Sequence, residues 1–357
     1  MHSRHTLHLP PHRPTSLSRR LTRMPEITLR EYEPADGEAV LAAFNRIFAE
    51  VQHGFRPRSL LEWRWRFVDN PAGGRASLAL DEQGRVLAQY AGLGVRLLLE
   101  GEEVLISQSV DSFCDPAVRG GLARAGLFVQ AGRPYAERHG FDGEGEDRLM
   151  YGLPVPAAWR VGRDQLEYSM LSPLWRLEGE SISLERLESE GDVCVEVSET
   201  VPDGVDALFD VVAAGQTAVV IKDRQHLSWR YDARPEGEYL WLHARRNQEL
   251  VGWMVLAPGA VEGRHALWIM DSLVRSGDDG AGRALMAAAG RQARARDLDT
   301  VARIATDACR EWEVLQNLGL RVVHSGYSFA GRSYVPRRPV AWWTEHLSLA
   351  LGDTDLL

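Results

Sequence analysis

The chain has 357 residues, a formal charge of −9, and 45% apolar and 25% charged residues, which is the make-up of a globular protein large enough for two domains. Residues 1–23 hold Arg4, Arg13, Arg19, Arg20 and Arg23 and no acid, which leaves −14 on residues 24–357. So acidic a body argues against general nucleic-acid binding and favours small cationic or amine-bearing partners. Cys114, Cys194 and Cys309 are scattered without a CxxC pair, so neither a disulfide framework nor a zinc site is indicated. No apolar run approaches the ~20 residues that span a bilayer. A cytoplasmic protein without a membrane partner is the simple expectation.

In chain order, residues 1–24 read as a disordered basic extension. They are too polar to pack and lack the apolar centre of a secretory signal. Ile27–Tyr32 alternates like a strand, and Asp36 heads a helix with Val40, Leu41, Phe44, Ile47 and Phe48 at helical spacing. Leu60–Phe67 is an aromatic helix ended by Asn70-Pro71. Ala76–Leu80, Val86–Leu99 and Val104–Cys114 are strands, Gly121–His139 is helical, Leu149–Leu153 is a strand and Pro156–Val161 a helix.

The same order then recurs. It runs through the strand Val193–Val197, the helix Val205–Val212, the aromatic helix Leu227–Tyr231, and the strands Tyr239–Ala244, Leu250–Leu256 and Ala266–Val274. Helix Arg283–Arg296, strand Val301–Ala305, helix Glu311–Leu318 and strand Arg321–Phe329 complete it. Trp65-Arg-Phe67 matches Trp229-Arg-Tyr231, and Val110-Asp-Ser-Phe113 matches Met270-Asp-Ser-Leu273, in the same order at nearly the same offset. An internal duplication follows, with its joint near Glu178–Asp192. Trp342-Trp343, His346, Leu347 and Leu349 form an amphipathic tail that docks on the body or on a second subunit.

Two loops carry candidate chemistry. Gly277, Gly280 and Gly282 follow the apolar run Trp268–Val274 and precede an alanine-rich helix. Glycines there let backbone N–H groups and a helix N-terminus approach phosphate. The spacing fits neither a dinucleotide fingerprint nor a Walker loop.

This order of elements resembles the GNAT superfamily of N-acetyltransferases. Gly280-Ala-Gly282-Arg-Ala-Leu-Met286 looks like its pyrophosphate loop, and Leu315-Gln-Asn-Leu318-Gly-Leu320 like the end of its later helix. Gly277 stands where the pattern carries Gln or Arg, and Leu315 where a tyrosine often acts as general acid. In the first half, Cys114-Asp-Pro116-Ala-Val-Arg119-Gly120-Gly121 resembles the corresponding strand end and loop. Asn70-Pro71 and Tyr151-Gly-Leu-Pro154 look like members with two fused domains.

The resemblance implies an α/β (α+β) protein with two tandem GNAT-like domains, each a twisted mixed sheet flanked by helices. Their bounds are residues 25–178 and 190–335, followed by a tail at 336–357. It implies acetyl-CoA as cofactor and a small-molecule amine as substrate. The pantetheine then lies on Phe113 and Cys114, and the pyrophosphate on Arg119, Gly120, Gly121, Arg124 and Gly126. Asp111 is the candidate base for the amine, and Tyr151 the candidate acid for the departing thiolate. Asp278 and Asp279 put negative charge in the second-half loop, so the first half is expected to bind the cofactor. The alternative is a non-catalytic protein of the same fold that senses CoA or binds a partner.

Overall fold

The computed structural model describes residues 26–118, 126–143, 145–188 and 192–357. The expected extension at residues 1–24, together with Arg119, Gly120, Gly121 and Arg124, lies outside them.

The first half opens with strand β1 (Thr28–Glu31), helix α1 (Gly37–Val51) and helix α2 (Leu60–Phe67). Ser59 caps α2 by accepting the Glu62 N–H, as its place before the aromatic run demands. Strands β2 (Gly74–Leu80), β3 (Val86–Leu99) and β4 (Glu102–Cys114) follow as an antiparallel meander. Helix α3 (Leu127–His139), strand β5 (Asp147–Gly152), helix α4 (Pro156–Gln165) and strand β6 (Ser169–Glu180) complete it. Val40, Phe44 and Trp63 pack α1 and α2 on one face of the sheet. Val129 and Tyr135 of α3 cover the other face.

After helix α5 (Ser181–Glu185) the order repeats: strand β7 (Cys194–Ser198), helix α6 (Val205–Ala213), a short strand β8 (Ala218–Val220) and helix α7 (Arg224–Leu227). A π-helical turn, Ser228–Asp232, carries Trp229. Strands β9 (Leu240–Arg246), β10 (Glu249–Val261) and β11 (Arg264–Val274), helix α8 (Asp279–Arg294), strand β12 (Thr300–Ala305), helix α9 (Trp312–Asn317) and strand β13 (Arg321–Ser333) follow. Helix α10 (Val340–His346) begins the tail. The tail docks on the chain's own body: Trp343 is fully buried and its Nε1 donates to Ser333 Oγ at 3.0 Å.

The strands form one continuous sheet in the order β1-β2-β3-β4-β5-β13-β6-β12-β11-β10-β9-β7, with β8 on β3. The last strand of each half lies beside the penultimate strand of the other, β13 on β5 and β6 on β12. The sequence joint near Glu178–Asp192 is therefore no gap in space, since β6 ends there while hydrogen-bonded to β12.

Trp65 and Trp229 mark the symmetry. Their rings stack at 5.3 Å and 19°, and each indole N–H donates to the other's backbone carbonyl, at 2.7 and 2.8 Å. Such reciprocity is what a two-fold-related pair produces. The matched tripeptides of the sequence thus meet at the centre of the molecule.

Candidate functional site

In the first half, β4 and β5 run parallel from Leu105–Asp147 to Gln108–Tyr151, after which β4 continues to Cys114 without a partner from β5. Tyr151 stands at this parting, opposite Gln108. A bulge sits beside it, with Asp111 and Ser112 together opposing Tyr90 of β3. Asp111 takes the left-handed conformation, φ 51°, which aspartate tolerates better than most residues. Ser112 Oγ replaces a ladder bond by accepting the Ala91 N–H at 3.0 Å.

Asp111 is buried, and its carboxylate is committed to Arg58, with Arg66 at 3.7 Å. Burial pushes its pKa up, but the two guanidiniums outweigh that and hold it below the usual aspartate range. A general base needs a pKa nearer the working pH and an uncommitted oxygen. The geometry therefore corrects the expected role of Asp111 from base to anchor of an ion pair. This pair adds stability above the ordinary aspartate pKa of ~3.9, and that contribution drains away as pH falls through the lowered folded value. Asp111→Asn is expected to cost about 3 kcal/mol at pH 7 and less toward pH 2, read from urea midpoints across that range. An equal cost at both pH values would refute this.

Phe113 is a core side chain against Phe44, with rings 6.2 Å apart, so only its backbone is available to a ligand. Cys114 is half-buried, its Sγ 3.8 Å from the Asp115 carbonyl. Gly126 is the N-cap of α3, extended at φ −63° and ψ 164°, and open space lies where a Cβ would stand. Among the described residues, neither a side-chain cap nor a first-turn acid occupies this helix end. The Tyr151 phenol is fully buried and donates to the Asp353 carbonyl at 3.0 Å. Burial pushes its pKa well up, and the Asp353 carboxylate adds to this, so it stays protonated.

The second half repeats the scaffold and changes the lining. Its parallel pair β11–β12 ends at Ile269–Arg303, and a bulge lies between Ile269 and Asp271. Asp271 ion-pairs with Lys222 at 2.7 Å and accepts from Tyr231 Oη at 3.3 Å. Lys222 precedes Trp229 by seven residues, as Arg58 precedes Trp65, so each half pairs a cation on that offset with its bulge aspartate. The sequence reading passes over both cations, although the equal spacing is legible there.

The parting of β11 and β12, however, is bridged. The buried Arg303 Nη1 donates to Ser272 Oγ at 2.8 Å and to Glu311 at 2.5 Å. The N-terminus of α8 is also filled, because Asp278 accepts the Ala281 N–H at 3.0 Å and pairs with Arg246 at 2.6 Å. A built-in carboxylate thus holds the place a phosphate would take.

The two sites meet at the C-terminal segment. Lys222 binds Asp353 as well as Asp271, and Arg230 donates to the Gly352 and Thr354 carbonyls at 2.8 and 3.2 Å. Gln108 reaches Asp355 at 3.3 Å, and Arg234 the Leu357 carbonyl at 2.8 Å. Only about 30 Å³ is left in the cleft between Trp65, Tyr151, Trp229 and this segment. Buried His226 lines the same cleft. Burial first, then the Lys222 charge, lowers its pKa well below the usual range and keeps it neutral.

No protein-family model and no curated protein matches the sequence. Solved structures do. A probable N-acyltransferase of Enterococcus faecalis matches at a TM-score of 0.63 and 13% identity over 90% of this chain and 74% of that one. A GCN5-related N-acetyltransferase of Anabaena variabilis gives 0.60 and 13%, over 87% and 73%. A tandem GNAT protein from the clavulanic acid pathway gives 0.52 and 13%, over 87% and 99%. The fold is that of the GCN5-related N-acetyltransferases, with two such domains in tandem, as the resemblance implied.

Proposed function

We propose that the protein is an acetyl-CoA-dependent N-acetyltransferase acting on a small amine, with the donor held by the first half. The observation that carries this is the contrast between two equivalent helix ends. Among the described residues no side chain caps the N-terminus of α3 and none bridges the strand parting beside it, while the N-terminus of α8 is capped by Asp278 beside a parting bridged by Arg303. The first is the better placed to accept a pyrophosphate on its N–H groups and a pantetheine arm along β4 beyond the point where β5 leaves it. Val110–Cys114 would supply that edge through the backbone. Gly126 and the preceding Arg119, Gly120, Gly121 and Arg124 would supply the phosphate contacts. Fold neighbours that include a probable N-acyltransferase and a GCN5-related N-acetyltransferase support the reaction class.

Acyl transfer breaks the thioester C–S bond, forms an amide C–N bond, and returns the amine's proton to the departing thiolate. Tyr151, protonated at the parting, is our candidate for that last proton. Asp111 positions Arg58 and the bulge rather than taking the proton. The acidic body favours encounter with a cationic amine, and the cytoplasm is its expected place.

Calorimetry with acetyl-CoA, CoA and longer acyl-CoAs, with CoA release followed on an amine panel, tests the reading. Binding with turnover supports it. Binding without turnover on any amine leaves the sensor alternative, and no binding removes both.

A further inference from the structure

We infer that the cleft of the second half binds a free aliphatic amino acid as its zwitterion, a site separate from the acyl-donor site proposed for the first half. The cleft lies on the α8 side of the β11–β12 parting and encloses about 130 Å³. At the ~10–15 Å³ that one water position needs, it holds roughly nine to thirteen such positions, room for a side chain and headgroup such as those of leucine or methionine. Its floor is Met254, Met286, Leu315 and Leu318, and methionines adapt to flexible aliphatic chains.

The rim decides the charge of the ligand. Arg275, Arg303 and Arg310 line it together with Asp278, Asp279 and Glu311, a balanced set that favours neither a bare anion nor a bare cation. The donors are incompletely used. The Nε–H groups of Arg275 and Arg303 are buried and meet no acceptor among the described residues. Arg303 is only 5% exposed, so water reaches it poorly. Arg310 donates to Ser276 Oγ at 2.8 Å and to the Val212 carbonyl at 3.5 Å, both uncharged acceptors. Arg275 keeps both of its Nη groups on Glu249, so a ligand carboxylate would take the planar paired donors of Arg310 and the unmet Nε–H of Arg303.

The acidic side is likewise partly committed. Asp278 is held by Arg246 and Ala281 N–H, and Glu311 by Arg303, which leaves Asp279 and the outer oxygen of Glu311 for an ammonium. Acyl-CoA is a poor fit, since the phosphate position is taken by Asp278 and the pantetheine path by Arg303.

The test uses the full chain without acetyl-CoA, titrated by calorimetry with L-leucine, hexanoate, hexylamine and acetyl-CoA. L-leucine is expected to bind, with hexanoate and hexylamine at least about tenfold weaker because each leaves one set of rim charges unmet. A Cβ at Gly282 would point into open space inside the cleft, so Gly282→Leu should fill the site without disturbing α8. That variant is expected to melt normally and bind leucine at least about tenfold more weakly. Arg310→Met, at an exposed position, is expected to lose leucine affinity similarly, and it keeps the test decisive if Gly282→Leu folds poorly.

The inference is overturned by any of four results. Leucine binding is undetectable, or hexanoate binds as well as leucine. Leucine binding survives both substitutions, or acetyl-CoA displaces leucine in the parent chain but not when Gly126→Asp has removed the first-half site. The readout is binding of an amino acid alone, so failure here leaves the acetyltransferase reading standing, and failure of that reading leaves this one testable.

Discussion

Gly126→Asp is expected to weaken acetyl-CoA binding by up to roughly three orders of magnitude while the melting temperature stays level or rises slightly. The position suits the side chain: its backbone is extended and no described residue lies within 4 Å of the new Cβ. Aspartate is also at least as good an N-cap as glycine, worth a few tenths of a kcal/mol here, so α3 gains rather than loses. The substitution gives α3 the built-in carboxylate that Asp278 gives α8. A carboxylate ~4 Å from a phosphate at an effective dielectric of ~20 costs up to roughly 4 kcal/mol, a factor of about a thousand in affinity, and less where water screens it. Gly280→Asp in the second half is expected to leave affinity largely intact. Calorimetry on both variants decides it. If Gly280→Asp abolishes binding and Gly126→Asp does not, the donor site moves to the second half, and Asp271 replaces Asp111 in the account above.

Lys222→Met is expected to cost about 3–5 kcal/mol and to make stability fall more steeply than in the parent chain as pH rises from 5 to 7. The only lysine of the chain is buried between Asp271 and Asp353, and its removal leaves two carboxylates facing each other without a cation. Burial already raises the pKa of Asp271, with the Lys222 charge opposing and the Asp353 charge reinforcing the shift. Without Lys222 the opposing influence is gone, and the folded state binds a proton that the unfolded state releases. By linkage, stability of the variant then falls as pH rises and recovers as pH is lowered from 7 toward 5. In the parent chain, Lys222 itself has a raised pKa, burial being overcome by the two carboxylates. Its contribution is present below the ordinary lysine value of ~10.4 and is lost only as pH rises through the folded one. Urea midpoints at pH 5 and 7 for both chains read the slopes directly. A loss under 1 kcal/mol, or parallel slopes, would show that the pair is dispensable. Because Tyr151 donates to the Asp353 backbone, the same substitution is expected to disturb the phenol, and kcat should fall further than acetyl-CoA affinity.

Much of this molecule was written in local pattern. A long apolar run places β3 at Val86–Leu99, and a Ser59 cap places α2 at Leu60–Phe67, as the sequence predicts. The paired Trp-Arg-aromatic and Asp-Ser motifs disclose the duplication because each copy does the same local work on its own strand or helix. Strand β6 escapes that reading, since Pro173 and the charged Arg176 and Glu178 argue against a central strand. Tertiary structure overrides them: Pro173 sits opposite an irregularity in β13, where its missing N–H is not needed, and Arg176 pairs with Glu178. The exchange of last strands between the halves is likewise a long-range choice that no window of sequence contains. At the site, glycines and a bulge aspartate were visible as residue types, but their partners were not. Whether Asp111 is a base or half of an ion pair depends on Arg58, which lies 53 positions away. Whether a helix end is free or capped depends on where Asp278 turns its carboxylate and on Arg246 behind it. Spacing along the chain determined which backbone groups this protein could offer a ligand; the charges brought beside them by folding decided which of those groups remain open.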